Sequence, residues 1–518
     1  MNVSDRSTTA DSKISLGELL PNEKLPPALG DMEISSITLD SQMAARDGLF
    51  IAVKGAKTDG RKFIADAVKN GVAVVLAESD QHSMLTVEGV PVLNIPELQK
   101  QVGFIAARFY RHPSAKLKVI GVTGTNGKST CVSLIAQMLN QLGEGSGIIG
   151  TLGYGLTGHT QFDTGMTTPD AVSCHRILNE LLQQGASIVA MEVSSHGIAQ
   201  HRIDGIQFHA AAFTNLTRDH LDYHESFDEY GETKASLFSR PGLSCCVVNL
   251  DDDFGKKIVE NNIAPETLVY TVSVKNPSAS VHAKDFTLNS DGIVAEESIV
   301  AEIVTPWGAG TIRSRLAGEF NLANLLTAVA CVCGMGFEFD DVCRVVSNLN
   351  PVEGRMQRVR PAQLENNPNS RIDVFIDYAH TPDALERALQ TLKESVSNKL
   401  WVVFGCGGDR DKGKRSAMGA IAGKHANRVV ITSDNPRSEN PAAIIADIEM
   451  GMKSESFISI VSRQEAIEYT VDSAAAGDCV LIAGKGHEKY QIVGNEKIFF
   501  DDYMVAKAAL EKKYGVGL

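Results

Sequence analysis

An apolar run (Leu117, Val119, Ile120, Val122) stops in "GVTGTNGKST", residues 121–130. Beyond it Ile135, Met138, Leu139 and Leu142 recur at helical spacing, and Gly143 closes the pattern. A buried strand, a glycine loop and a helix in direct succession point to a parallel α/β layer, because the loop must carry the chain from sheet to covering helix. Glycines let backbone N–H groups approach phosphate oxygens, and the helix N-terminus adds partial positive charge. Lys128 can neutralise β/γ-phosphates, and Ser129 can ligate Mg²⁺. The generic spacing G-x-x-x-x-G-K-[ST] is not met: it asks for glycine at position 122, where this chain has Val122, and the glycines fall at Gly121, Gly124 and Gly127. As a bare pattern the loop is either a nucleotide site or a structural turn.

The same alternation extends along the chain. "DGLFIAVKG" reads as a strand and turn, "RKFIADAVKNG" as a helix closed by Gly71, and "VAVVLAE" as a strand. His112-Pro113-Ser114 then punctuates the chain. After the loop, "SIVAMEV", "HAAAFTN" and "CCVVNL" are strands alternating with helices, as in a mainly parallel sheet covered on both faces. "EFNLANLLTAVACVCGMG" is a strongly apolar helix, and "LNPVEGRMQRV" reads as a linker. In the last third, "DVFIDYAH", "LWVVFGCGG", "RVVITSDNP" and "CVLIAGKGH" are four apolar strands, each ending in polar or glycine-rich residues. Ligands of such folds bind at the carboxyl ends of the strands. With 518 residues, three α/β domains are expected, at 1–113, 114–350 and 351–518, and the first dozen or so residues are expected to be disordered.

A net charge of −14 argues against broad binding to nucleic acid or anionic membrane. The nine cysteines are scattered without a C-x-x-C pair, which favours buried thiols over disulfides or zinc. The start of the chain lacks an apolar signal core, and no apolar run is long enough to span a bilayer. A soluble, cytoplasmic protein, acting as a monomer, is the expectation.

Several polar residues stand where chemistry would be placed. Glu192 ends an apolar strand, where a carboxylate can hold Mg²⁺ or simply be solvated. His220 in "TNLTRDHLDYH" is a metal ligand or a packed histidine. Arg202 can clamp a carboxylate or phosphate, and Ser194, Gln200, His196 and His201 share its segment. Asp377 ends a strand, and Thr381-Pro382 opens a helix as N-cap and first-turn proline. Arg410 and Arg437 lie on turns stiffened by glycine and proline, suited to aiming a guanidinium at a carboxylate; the bland alternative for Arg437 is an exposed salt bridge to Glu439.

The variant T-G-T-N-G-K-[ST] resembles the ATP loop of the Mur ligase and folylpolyglutamate synthetase superfamily, whose members join a carboxylate to an amine using ATP. With "MTTPD", "MEVSSHGIAQHRI", "TNLTRDHLDYH", "LAGEFNLANLLTA" and "SDNPRSENP", the chain resembles the MurE-type branch of the Mur ligase family from about residue 30 onward. The resemblance implies a three-domain fold with a central P-loop NTPase-like sheet and a C-terminal Rossmann-like domain. It implies an ATP-dependent ligase adding meso-diaminopimelate to UDP-N-acetylmuramoyl-L-alanyl-D-glutamate through an acyl phosphate, in peptidoglycan precursor synthesis. Relatives that add L-lysine, and a homologue that binds nucleotide without catalysis, are the alternatives.

Carried over by resemblance, Lys128, Glu192, His220 and Lys234 would be catalytic. Ser129, Glu192, His220 and a CO₂-derived carbamate on Lys234 would serve Mg²⁺. ATP would contact Gly124, Thr125, Asn126, Gly127, Lys128, Ser129, Thr130, Asn321, Arg355, Asp377, Tyr378 and His380. The UDP substrate would contact Leu39, Ser41, Ala56, Lys57, Thr58, Thr167, Thr168, Ser194, Gln200 and Arg202. Diaminopimelate would meet Arg410, Asp434, Asn435, Pro436, Arg437, Gly484 and Glu488. Met166 replaces an asparagine common in the family just before the two threonines.

Overall fold

A computed structural model describes residues 13–55, 58–288, 298–359, 372–393, 396–453 and 457–515. The disorder expected of the first dozen residues therefore lies outside the described residues, as do Ala56 and Lys57. The chain forms two compact units, Met1–Gly121 with Glu144–His209 and Arg240–Gly242, and Val122–Gly143 with Ala210–Ser239 and Leu243–Leu518. The division falls inside strand Lys118–Thr123, which feeds the glycine loop.

In the first unit a five-stranded sheet runs in the order Ile37–Thr38, Leu49–Ala52, Val74–Ser79, Val90–Pro96, Ser83–Val87, parallel except for the last pairing. Leu49–Ala52 is buried throughout because both faces are covered. Leu49 and Ile51 face helix Leu98–Phe109, whereas Phe50 and Ala52 face the side of Ala67 and Val68 on helix Ile64–Lys69. Gly71 closes that helix at φ 90°, a conformation glycine adopts without penalty. A hairpin, Ser146–Gly150 with Gly153–Leu156, lies beside parallel strand Ile188–Glu192. Helix Ala171–Gln183 starts at Asp170, whose side chain accepts from Ser173 N.

In the second unit residues 210–213 pair parallel with Cys245–Asn249, which pairs parallel with Leu268–Ser273. The expected parallel alternation then ends. Val281–Leu288, Ile299–Thr305 and Gly308–Ser314 form an antiparallel extension. Along Ile299–Thr305, buried Ile299, Ala301, Ile303 and Thr305 alternate with less buried neighbours, the period-two pattern of a half-covered sheet. Helix Glu319–Gly334 is buried along nearly its whole length and packs on helix Lys128–Gln141.

The C-terminal sheet runs Gln357–Arg358, Asp373–Asp377, Cys479–Ala483, Leu400–Phe404, Arg428–Ile431, Phe457–Ser459. All its pairings but the first are parallel, so the four apolar strands read from the sequence end at one edge. The segment read as a linker contributes Gln357–Arg358 as an antiparallel edge strand. All nine cysteines are free thiols, eight of them buried and Cys343 half-buried. Among the described residues no helix is long and apolar enough to cross a membrane.

Candidate active site

The glycine loop is braced from below by residues the motif does not contain. Thr125 N donates to Asn215 O (2.8 Å) and Asn126 N to Asn215 Oδ1 (3.0 Å). Thr214 Oγ1 and Asn215 Nδ2 both donate to Asn126 O, at 2.6 and 3.1 Å. Gly127 is the N-cap of helix Lys128–Gln141 at φ 86°, with no side chain capping the first turn. A helix N-terminus without a side-chain cap is suited to an anion. A Cβ at Gly127 would stand 2.5 Å from Asn324 Oδ1. Asn324 donates to Asn321 Oδ1, and Asn321 donates to Ala317 O, so Asn321 buttresses the loop through Asn324. Thr130 is buried in the first helical turn.

Two lysines converge on this loop. Lys128 Nζ donates to Gly124 O (3.0 Å) and Thr125 O (2.8 Å), and Lys234 Nζ donates to Gly124 O (2.8 Å). Lys234 is 1% exposed and lies 4.6 Å from the centre of the Tyr230 ring. Burial, reinforced by the nearby Lys128 charge, pushes the Lys234 ammonium well below the usual lysine range. Tyr230 is placed by its hydroxyl contact with Thr125 Oγ1 (3.0 Å).

Around the loop, Arg355 Nη2 donates to Ser129 Oγ (2.9 Å), and its guanidinium lies 4.3 Å over the Tyr378 ring. Tyr378 also packs against His380 and His487. Asp377 spends both oxygens on backbone amides, those of Met356 (2.6 Å) and Ala379 (2.8 Å), which fixes the turn carrying Tyr378. His380 Nδ1 contacts Tyr378 O (2.9 Å). Asn126 Nδ2 donates to Asp383 Oδ2 (3.2 Å). His220, at φ 56°, has Nε2 3.3 Å from the buried Asp219, which also faces His380 and Lys414. Burial pushes the Asp219 carboxyl up. The His380 hydrogen bond and the His220, His380 and Lys414 charges outweigh burial and hold it well below the carboxylate range.

In the first unit Glu192 is 2% exposed. Its oxygens accept from Thr151 N (2.9 Å) and Thr151 Oγ1 (3.1 Å), and among the described residues it has no cationic partner. Thr151 Oγ1 also contacts Thr167 Oγ1 (3.0 Å), which must donate to it, since the Thr151 proton goes to Glu192. Thr168 is buried, its hydroxyl engaged with Glu192 O and with Ser194 N and Oγ, each at 3.0 Å. Arg202 donates to Gln200 Oε1, Thr168 O and Met166 Sδ, so Met166 sits among the substrate candidates by its sulfur. His201 pairs with Asp204 instead (2.8 Å). Leu39 packs against the N-terminal core, Ser41 is buried in turn Ser41–Met43, and Thr58 O accepts from Gly55 N.

At the carboxyl edge of the last sheet two turns meet. Gly408 N donates to Asn435 O (2.9 Å), and a Cβ on Gly408 would collide with the Pro436 carbonyl. Arg437, half-buried, donates from Nη1 to Gly408 O (2.8 Å) and lies close enough to Arg410 to feel its charge. Burial first, then Arg410, lowers the Arg437 pKa. Neither arginine has an ion-pair partner among the described residues. The salt bridge from Arg437 to Glu439 weighed from the sequence is not formed. Glu439 is taken by Arg415, at 2.8 and 3.0 Å, and Arg415 also binds Asp447 (2.9 Å). Glu488 Oε2 accepts from Asn435 Nδ2 (2.9 Å) and from buried Lys485 (3.0 Å). Asp434 stands where a Cβ on Gly484 would be 2.7 Å from its Oδ2. Beneath, buried Arg463 pairs with Asp502 and donates to Ala483 O and Ser433 O, the residues before Gly484 and Asp434.

Three family models cover most of the chain: Mur ligase family, catalytic domain (residues 33–110), Mur ligase middle domain (122–332) and Mur ligase, glutamate ligase domain (354–486). The UDP-N-acetylmuramoyl-L-alanyl-D-glutamate–2,6-diaminopimelate ligase of Pseudomonas aeruginosa is 44% identical over 491 residues, 94% of this chain and 97% of that one. Its Coxiella burnetii namesake is 43% identical over 484 residues, covering 93% and 96%. The chain belongs to the Mur ligase family.

A solved diaminopimelate ligase of the same name superposes with a TM-score of 0.68 at 33% identity, covering 97% of this chain and all of that one. A MurF ligase from Thermotoga maritima, solved with ADP, shares the three-domain Mur ligase fold (TM-score 0.62, 17% identity, 93% and 98% covered). The α/β Mur ligase architecture expected from the sequence is thus the observed one. Sequence reading missed Thr214, Asn215, Tyr230 and Asn324 at the loop, and Arg415, Arg463 and Lys485 at the arginine turns. Asn324, a polar residue inside an apolar helix, carried a local signal, and Thr214, Asn215 and Lys485 lie in strand-end motifs read from the sequence.

Proposed function

We propose that this Mur ligase uses ATP to join diaminopimelate, as the meso isomer, to the γ-carboxylate of the D-glutamyl unit of UDP-N-acetylmuramoyl-L-alanyl-D-glutamate. The reaction belongs to the making of peptidoglycan precursors in the cytoplasm. Residues 1–113 are assigned to UDP recognition, 114–350 to ATP and the acyl transfer, and 351–518 to the amino acid.

A carboxylate is a poor acyl donor because its leaving group would be oxide. Phosphorylation by ATP gives an acyl phosphate, which the amine attacks with release of phosphate. Three anionic groups must approach one another, so the chain's task is charge stabilisation and positioning. The N-terminus of helix Lys128–Gln141, with Gly127 as its N-cap, would receive the ATP phosphates. In that reading the Lys128 ammonium leaves the Gly124 and Thr125 carbonyls for phosphate oxygens. Arg355 and Tyr378 offer a stacking face and a cation on the nucleoside side.

For Mg²⁺, Ser129 offers a hydroxyl oxygen and His220 an imidazole within the second unit; within the first, Glu192 is a buried carboxylate with no cationic partner among the described residues. Among the described residues no group of three or more His, Cys, Asp or Glu is arranged as a protein cage. Mg²⁺ is commonly held by one or two carboxylates together with substrate phosphates. When bound, the ion supplies charge neutralisation between phosphate and carboxylate. Burial lowers the Lys234 pKa well below the ordinary lysine value, which favours the amine form that reacts with CO₂, and its carbamate would add an anion beside the loop.

The observation that carries the choice of amino acid is the pair Arg410 and Arg437, near each other with no ion-pair partner among the described residues, and Glu488 and Asp434 close by. Diaminopimelate has a distal carboxylate and ammonium, and lysine lacks the carboxylate. Two unpaired guanidiniums reward the first and leave the second mismatched. The test is product mass and phosphate release with the UDP-dipeptide, ATP and each amino acid. Release with diaminopimelate and little with lysine is expected; the reverse refutes the reading.

A further inference from the structure

The chain after Glu488 becomes a hairpin, Tyr490–Val493 antiparallel to Glu496–Phe499. Two four-residue strands do not hold their place in water unaided, and Val493, Ile498 and Phe499 are exposed. The hairpin is instead tied to the turn that carries Arg437. Gln491 Nε2 donates to Asp434 O (2.7 Å), and Ile492 N to Asn435 Oδ1 (3.0 Å). Arg437 N donates to Ile492 O (3.0 Å), and Gly494 N to Arg437 O (2.7 Å).

Those last two bonds seize the backbone on both sides of Arg437, which has φ 51°. The left-handed region is costly for a residue with a Cβ and persists where surroundings impose it. Here the hairpin is the imposing element, and the resulting conformation lays the guanidinium against Gly408 O beside Arg410. Of the four ties, two are purely backbone and one uses Asn435, already assigned to the amino-acid site. Gln491 is half-buried and belongs to none of the assigned sites.

We propose that Gln491 is a positioning residue for amino-acid selection: it pins the hairpin to the Asp434–Arg437 turn and so keeps the Arg437 guanidinium aimed at the distal carboxylate of diaminopimelate. The inference rests on the reading of Arg437 as the receiver of that carboxylate. Losing the Gln491 bond to the Asp434 carbonyl would free the turn to relax, and errors of about 1 Å at a binding group are costly.

The test compares full-length wild type, Gln491→Ala, Gln491→Glu and Arg437→Ala by phosphate release, varying each substrate in turn. Glutamate keeps the size of Gln491 but cannot donate to the Asp434 carbonyl. Both Gln491 variants should raise KM for diaminopimelate about tenfold and lower the preference over lysine, with kcat and the KM values for ATP and UDP substrate within about twofold. Melting temperature should stay near wild type; if the alanine variant melts early, the isosteric one carries the comparison. Wild-type KM in Gln491→Glu overturns the inference, as does a general fall in kcat, ATP affinity and stability together. If Arg437→Ala loses the preference while both Gln491 variants keep it, this inference alone fails. If Arg437→Ala keeps full preference, the reading of the amino-acid site fails first.

Discussion

In the glycine loop the cations are turned inward: Lys128 and Lys234 both donate to carbonyls of the loop itself. In the turns around Gly408 and Arg437 two guanidiniums stand near each other, neither in an ion pair among the described residues. On the proposed reading, the loop would hold anions through backbone at the N-terminus of helix Lys128–Gln141, with Gly124 and Gly127 at positive φ. That capacity would not depend on Lys128. At the arginine turns the capacity resides in side-chain heads, and the like-charge repulsion is sustained by scaffolding below: Arg415 on Glu439, Arg463 on Asp502, the hairpin on Arg437. A backbone site is local and durable; a side-chain site is assembled and can be loosened from a distance.

The largest expected effects test the loop. Lys128→Ala should lower kcat about 10²–10³-fold, the usual cost of removing a charge-stabilising donor, while the fold persists. Lys234→Ala should fall comparably and recover in Lys234→Glu or with added short carboxylic acids. A carbamate carbonyl signal from ¹³CO₂, absent in the alanine variant, would identify the modification; full activity in Lys234→Ala would remove the role.

Arg437→Ala should act differently, lowering kcat/KM for diaminopimelate about 30-fold or more, mostly through KM, because the distal carboxylate loses its partner. Loss of kcat alone, with unchanged selectivity, would erase the contrast between the two regions.

Smaller effects test the scaffolds. Gly127→Ala puts a Cβ against Asn324 at a left-handed φ and should destabilise by about 1–3 kcal/mol, weakening ATP binding more than diaminopimelate binding. Gly408→Ala should do the opposite, forcing the two turns apart at the Pro436 carbonyl. Calorimetric titration of each ligand separates the two.

The smallest is a pH effect. The Arg415 hydrogen bond holds the Glu439 carboxyl at about 2, below its ordinary 4.5. A carboxylate with a depressed folded pKa contributes stability above its unfolded value and loses it as pH falls toward the folded one. The melting-temperature advantage of wild type over Glu439→Gln should therefore be full above pH 4.5 and close toward pH 2.

The parallel strands, their helices and the glycine loop were legible because each is written in consecutive residues: apolar runs, a 3.6-residue period, glycines at a turn. The antiparallel extension over 281–288 and 299–314 was not, since its alternation is weak and its edge becomes a strand only when paired. Hairpin 490–499 was hidden for the same reason. Among site candidates, the contiguous motifs could be named from sequence, but their braces could not. Asn215, Asn324, Arg415 and Arg463 look like ordinary polar residues until the fold buries them against distant backbone.

By itself, then, the sequence determined the α/β layering, the phosphate-type loop and the presence of two arginines on stiff turns, because local propensity and spacing act over a few residues. Only the tertiary structure decided that Glu439 belongs to Arg415 rather than to Arg437, that Lys234 is buried with its pKa pushed well below the lysine range, and that Arg437 is bent into a left-handed conformation by a hairpin more than fifty residues away. Desolvation and partner choice depend on which remote atoms come within reach, and no local pattern records that.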